Sequence, residues 1–230
     1  MKTKFYLLIL STLLVVTSCE LDNFDEPDAI FTGRIMYNGE AIPVARNQVR
    51  FELWQPEYET PAPIDVAIAQ DGSFSSRLFS GKYELRFLQG EGPFKAPTNA
   101  INIELSGGKQ MDIEVTPYHL IRNLQFSHSS GTISATCSVD QILTGADAKD
   151  VERVVLVINR TQFVDANSGS EGSIAQVDAT DISNLSSLEM SVEIPIDPKK
   201  PDQDYMFARI GVKMIGVEDM IYSQVEKIAL

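Results

Sequence analysis

From Ile30 onward, apolar residues recur at every second position in short runs that end in turn residues, the pattern of strands buried on one face. Phe31 to Tyr37 opens the series and Asn38-Gly39 closes the first run. Val49, Phe51 and Leu53 alternate with Arg50, Glu52 and Trp54. Val66 and Ile68 follow, and Asp71-Gly72 turns the chain into Phe74, Ser76 and Leu78. Ser80-Gly81 turns it again into Tyr83, Leu85 and Phe87, opposed by Lys82, Glu84 and Arg86. Ile101, Ile103 and Leu105 are expected to pair with Met111, Ile113 and Val115 across the loop from Ser106 to Lys109. The change of parity at each turn predicts antiparallel strands with one buried face.

Thr116-Pro117-Tyr118 reads as a boundary, because proline donates nothing to a strand ladder. A second set of strands is expected beyond it: Leu124 to Phe126, Thr132 to Val139, Val151 to Asn159, Leu188 to Ile194, Tyr205 to Met214 and Ile221 to Ile228. Val154 to Ile158 is apolar on both parities, which predicts a central strand covered on both sides. No run has helical periodicity, and the polar stretch from Asp165 to Ser187 holds at most a short strand or turn near Ile174 to Ile182. The expected fold class is all-β, two β-sandwiches in series.

The chain begins differently. Lys2 and Lys4 precede an apolar run, Phe5 to Val16, that is too short for a membrane span of roughly 20 residues. It reads as a secretory signal peptide. Val16-Thr17-Ser18-Cys19 looks like a bacterial lipobox, in which Cys19 carries the lipid after cleavage before it. Several acyl chains, each methylene contributing about 0.8 kcal/mol, would hold the protein on a membrane. The acidic stretch Glu20 to Asp28 reads as a solvated tether. The expected organisation is therefore residues 1–18 signal peptide, 19–29 lipidated cysteine and tether, 30–116 first sandwich and 117–230 second sandwich.

Charge and cysteine content narrow the partners. The formal charge is −13, and loss of Lys2 and Lys4 with the signal makes it more negative, so nucleic acid is not an expected partner. With Cys19 acylated, only Cys137 remains and no intramolecular disulfide forms. Ile133, Ala135, Cys137 and Val139 share a parity, which puts this thiol on a buried face as a structural residue.

The order FTGRIMYNGEAIP, a strand ending in Trp54, and DGSFSSRLFSGKYELRF resembles the transthyretin-like, carboxypeptidase-regulatory type of sandwich. Together with the lipobox, the GEGPF loop at Gly90 to Phe94 and the VTPY junction at Val115 to Tyr118, it resembles a lipoprotein family of Bacteroides-type bacteria, a domain-of-unknown-function family. The resemblance covers essentially the whole mature chain. It implies a transthyretin-like domain followed by an immunoglobulin-like one, and genes beside SusC/SusD-type glycan importers of the outer membrane. The acids after Cys19 (Glu20, Asp22, Asp25, Glu26) resemble a surface-export signal of such bacteria.

No catalytic constellation stands out. His119, beside the domain junction, and His128 lie in no catalytic motif and read as surface or hinge histidines. No G-x-S-x-G, H-E-x-x-H or phosphate-binding glycine loop is present, so no enzyme and no cofactor are expected. Two acidic loops deserve comparison with calcium sites: Asp165, Asn167 and Glu171, and Asp197, Asp202 and Asp204. The first has its glycine out of place and Gln176 where a bidentate Glu belongs, and the second is diluted by lysines. Both read as solvated loops, and no metal is assigned. Sugar binding uses exposed aromatic faces flanked by polar groups. The candidates are Trp54, outward beside Arg50 and Glu52, with Tyr58 four residues on, and Phe94 at a loop tip. Packing of Trp54 or Phe94 against the second domain is the competing reading. The expected function is a non-catalytic accessory glycan-binding lipoprotein of the outer membrane. The alternative is a structural subunit that docks on an outer-membrane transporter or surface protein without binding sugar.

Overall fold

The computed structural model describes residues 25–166, 172–196 and 203–230. The first part contains β1 (Ala29–Tyr37), β2 (Glu40–Ala41), β3 (Arg50–Trp54), β4 (Ile64–Ala67), β5 (Ser73–Leu78), β6 (Gly81–Phe87), β7 (Phe94–Lys95), β8 (Ile101–Leu105), β9 (Gly108–Gln110), β10 (Ile113–Glu114) and β11 (Thr116–Pro117). The second contains β12 (His119–Ser129), β13 (Thr132–Gln141), β14 (Val151–Asn159), β15 (Ala175–Asp178), β16 (Leu188–Glu193), β17 (Tyr205–Met214), β18 (Ile221–Tyr222) and β19 (Glu226–Ala229). The helical content of the described residues is one 3-10 turn, Gly145–Asp147. The protein is all-β.

In the first sandwich, one sheet runs β4-β3-β6-β8 and the other is centred on β1, flanked by β5, β2, β9 and β10. Phenylalanines join the layers: Phe74 of β5 lies 5.1 Å from Phe31 of β1 and 5.0 Å, edge-on, from Phe51 of β3. Such pairs add about 0.5–1.5 kcal/mol each beyond area burial. Gly33 of β1 lets the next segment cross closely, since a Cβ there would stand 1.9 Å from the Met111 carbonyl oxygen.

Two expectations change here. The segment after β8 does not fold back on it: β8 pairs with β6, while β9 and β10 run parallel to β1. Alternation shows which face a strand buries but not which neighbour it pairs with. The proline boundary also carries a small pairing, with Thr116 and Pro117 opposite Lys95 and Phe94.

The second sandwich sets β12-β13-β16 against β15-β14-β17 with β18 and β19. Ile133, Ala135, Cys137 and Val139 are all buried, and burial pushes the Cys137 thiol up to about 11. Val154, Leu156 and Ile158 of β14 face this core. Val155 and Val157 face the other way, into a cluster with Val164, Met220, Tyr222 and Ala45 of the first half. The second apolar parity of β14 is thus covered in part by the interdomain contact.

That contact centres on Arg209 of β17, which is 0% exposed. Its guanidinium donates to the carbonyls of Val44 (3.3 Å) and Gln70 (3.3 Å) in the first sandwich and of Val164 (3.1 Å) and Ser223 (3.1 Å) in the second. It also stacks 4.2 Å over the Tyr222 ring. Burial pulls its pKa down to about 10, so it stays charged at neutral pH. A β-bridge between Val44 and Ile221, and a hydrogen bond from the Tyr222 amide to Pro43 O, continue the seam.

Candidate functional site

The outer face of the β4-β3-β6-β8 sheet is where Trp54, one of the three expected sugar-platform residues, meets polar partners. Alternation along β3 buries Phe51 and Leu53 and turns Arg50, Glu52 and Trp54 outward. The same rule on β6 turns Lys82, Glu84 and Arg86 outward. Register then decides the neighbours: Trp54 lies opposite Glu84, and Glu52 opposite Arg86.

Trp54 is half-buried and held on two sides. Its indole Nε1 donates to Glu52 Oε2 at 2.8 Å. The Arg86 guanidinium sits 5.1 Å from the ring centroid and is itself tied to Glu84 at 2.5 Å. Asn102 continues the polar row opposite Glu84 on β8. One pre-positioned aromatic ring thus stands among two carboxylates and a guanidinium, with an amide one strand further along the row, groups that accept from and donate to hydroxyls.

Tyr58 is 60% exposed in the loop after β3, its amide turned back to Gln55 O at 3.4 Å. Gln55 in turn donates to the hydroxyl of Tyr83 at 3.2 Å, which anchors the start of that loop on β6. Phe94 is elsewhere. It is 3% exposed and packs edge-on at 5.8 Å against Phe87, whose ring faces the core. Phe94 and Trp54 therefore lie on opposite sides of one sheet, and no flat ligand contacts both. An aromatic in a Gly-Pro loop has no period to report its direction, and the core took it.

The histidines are also redistributed. His119 begins β12 and is buried, its Nδ1 without a hydrogen-bond partner. Burial lowers its pKa, with Asp150 opposing. The sequence reading of a surface or hinge histidine is therefore corrected in its surface part: His119 is buried, at the start of the second sandwich. His128 sits near a turn and accepts the Gly131 amide at 3.3 Å.

Cys19, Asn167, Glu171, Asp197 and Asp202 lie outside the described residues. Asp165 is buried, and its amide donates to Gly172 O at 3.0 Å. Among the described residues no group of three His, Cys, Asp or Glu side chains is placed to hold a metal ion. Among the described residues no helix is long and apolar enough to cross a membrane.

Sequence reading missed Arg209 and Asp219. Arg209 interrupts an apolar strand, and that interruption was its signal. Asp219, in the loop between β17 and β18, is 5% exposed and accepts the Gly92 amide across the junction at 3.0 Å. Nothing local in its sequence marks that.

Known proteins share this architecture. The solved structure of a DUF3823 family protein from Parabacteroides merdae is 31% identical, with a TM-score of 0.76, covering 89% of this chain and 100% of that one. A second, from Bacteroides ovatus, is 30% identical with a TM-score of 0.73 and the same coverage. A Bacteroides uniformis protein described as a candidate carbohydrate binding protein shares the fold at 18% identity, with a TM-score of 0.69 over 89% of this chain and all of that one. No curated protein matches. The model for the N-terminal domain of the protein of unknown function DUF3823 matches residues 29–116, and that for the domain of unknown function DUF3823_C matches residues 119–227, so the chain belongs to the DUF3823 family.

Proposed function

We propose that this protein is a non-catalytic lipoprotein of the outer-membrane surface that holds saccharide on the Trp54 face, as an accessory component of a polysaccharide uptake system. The observation that carries the reading is the geometry of Trp54. Its ring is held outward by Glu52 and Arg86, with Glu84 opposite it and Asn102 one strand further on. Pyranose rings present apolar faces and polar edges, which this combination of ring and flanking polar groups complements. The fold neighbour described as a candidate carbohydrate binder supports the same class of ligand. Lipid attachment at Cys19 is supported by Lys2 and Lys4, the short apolar run and the lipobox. Partnership with a SusC/SusD-type transporter is supported by the family resemblance of the chain.

The test is retention on an array of oligosaccharides, comparing the wild type with Trp54→Ala. A loss of about tenfold in affinity, equivalent to ~1.4 kcal/mol, is expected. Unchanged retention removes Trp54 from the site. Absence of retention for every sugar, with recovery of a transporter after gentle solubilisation, would favour the docking role instead. Cys19→Ser is expected to release the protein from membranes, and persistent association would overturn the anchor.

A further inference from the structure

A second feature lies at the end of the same strand. Between the sandwiches is a cleft of about 410 Å³, lined by Asn47, Gln48, Arg50, Glu91, Glu218 and Asp219. This falls within the size of small-ligand sites, roughly 300–1,000 Å³. Its walls come from three places in the chain: the segment entering β3, the Gly90 to Phe94 loop, and the loop between β17 and β18.

The cleft is built on fixed parts. Asp219 is buried beneath it and ties the two walls together through the Gly92 amide. Gly92 has φ +83°, and a Cβ there would meet the Phe94 ring at 2.9 Å. Phe94, buried against Phe87, anchors the loop that carries Glu91. Across the seam, the carbonyl contacts of Arg209 hold the sandwiches in one arrangement. A ligand entering the cleft would find its walls already in place, which lowers the entropy lost on binding.

Its lining is dense in donors and acceptors and contains no aromatic or aliphatic side chain. The Arg50 guanidinium stands 3.7 Å from Asp65 and 3.8 Å from Glu91, beyond hydrogen-bond distance of either. Asn47, Gln48 and Glu218 are exposed, so their side chains are accessible to a ligand in the cleft. Such a surface disfavours an apolar ligand and suits one that carries many hydroxyls. Three carboxylates against one guanidinium also repel an anionic ligand.

Position supplies the connection. Arg50, Glu52 and Trp54 are successive outward residues of β3. Four residues of strand span about 13 Å, the length of an oligosaccharide rather than of one ring. We infer that the interdomain cleft is a second saccharide subsite, reached along β3 from Trp54, and that it restricts the ligand to uncharged oligosaccharides. The inference rests on the saccharide-binding reading above and adds to it a ligand length and a ligand charge.

The experiment uses the full mature chain and an array of neutral gluco-, manno-, galacto- and xylo-oligosaccharides from two to eight units, with oligogalacturonates as the anionic probes. The wild type should retain a neutral series, with affinity rising as length increases, and should discriminate against oligogalacturonates at least tenfold. Arg50→Ala and Glu218→Gln, both at exposed positions, should lower affinity for the longest neutral members about tenfold. They should leave the shortest retained member within twofold, whereas Trp54→Ala should weaken all lengths. If Trp54→Ala weakens binding but the two cleft variants leave the long members unchanged, the subsite is overturned and the proposed function stands. Equal retention of oligogalacturonates overturns the charge restriction. No retention of any probe by the wild type overturns both readings.

Discussion

Arg209 and Arg86 both stack on aromatic rings, and they do opposite things. Arg209 lies 4.2 Å over Tyr222, fully buried, with carbonyls from both sandwiches accepting its hydrogen bonds. Arg86 lies 5.1 Å over Trp54 on an open sheet face and is tied to Glu84. A cation over a ring contributes about 0.5–1 kcal/mol when exposed and ~2 or more when desolvated. The buried pair is committed to fixing how the domains meet. The exposed pair positions a ring and leaves its surroundings free for hydroxyls. The same chemistry thus serves architecture in one place and recognition in the other, and burial decides which.

The largest effect is expected at Arg209. Arg209→Met keeps volume but leaves the Val44, Gln70, Val164 and Ser223 carbonyls without their donor. A loss of about 3–5 kcal/mol is expected in chemical denaturation. A loss below 1 kcal/mol would mean that the seam is held by its apolar cluster alone. On the open face, Trp54→Ala should cost no more than ~1 kcal/mol, against its larger effect on saccharide retention. A loss as large as that at Arg209 would place Trp54 with the structural residues instead.

Acid sharpens the contrast between buried and exposed groups. His119 is held neutral by burial, so its folded pKa lies below the ordinary value of 6.5. Above that value both states are neutral and nothing is lost. As pH falls below it the unfolded chain takes up a proton that the folded chain resists, and stability declines, by at most about 1.4 kcal/mol per pH unit for one proton. His119→Gln should flatten the slope of melting temperature between pH 6.5 and 5, and an unchanged slope would assign the acid sensitivity to other groups.

The smallest effects belong to the exposed ion pairs across the seam, Arg122 with Glu40 and Lys95 with Asp147, both at 2.6 Å. Glu40→Gln or Asp147→Asn should change stability by less than ~1 kcal/mol and less still at high salt. A larger loss would move the centre of the seam away from Arg209.

Much of the fold was legible because period two is a local property. Phe51 and Leu53 inward with Trp54 outward, and Cys137 buried among Ile133, Ala135 and Val139, follow from strand geometry. The second apolar parity of Val155 and Val157 announced a covered face, though not what covers it. Phe94 was readable either as an exposed tip or as packed against the second domain, because a Gly-Pro loop has no period; it packs on Phe87 of its own sandwich. The parallel pairing of β9 and β10 with β1 was missed because partners are chosen across distant segments. For the candidate site, Trp54 and its direction were readable, but Glu84 and Arg86 joined it only through register.

Local sequence was enough for the all-β class and for the face that most strands bury. These depend on neighbours one or two residues away. It took the packing of distant segments to bring Arg209 to the seam and Asp219 to Gly92, and to set Arg50 and Trp54 on one continuous face with a cleft at its end. Those contacts join residues far apart in the chain, and their energies come from desolvation and satisfied hydrogen bonds that exist only once both sandwiches are packed.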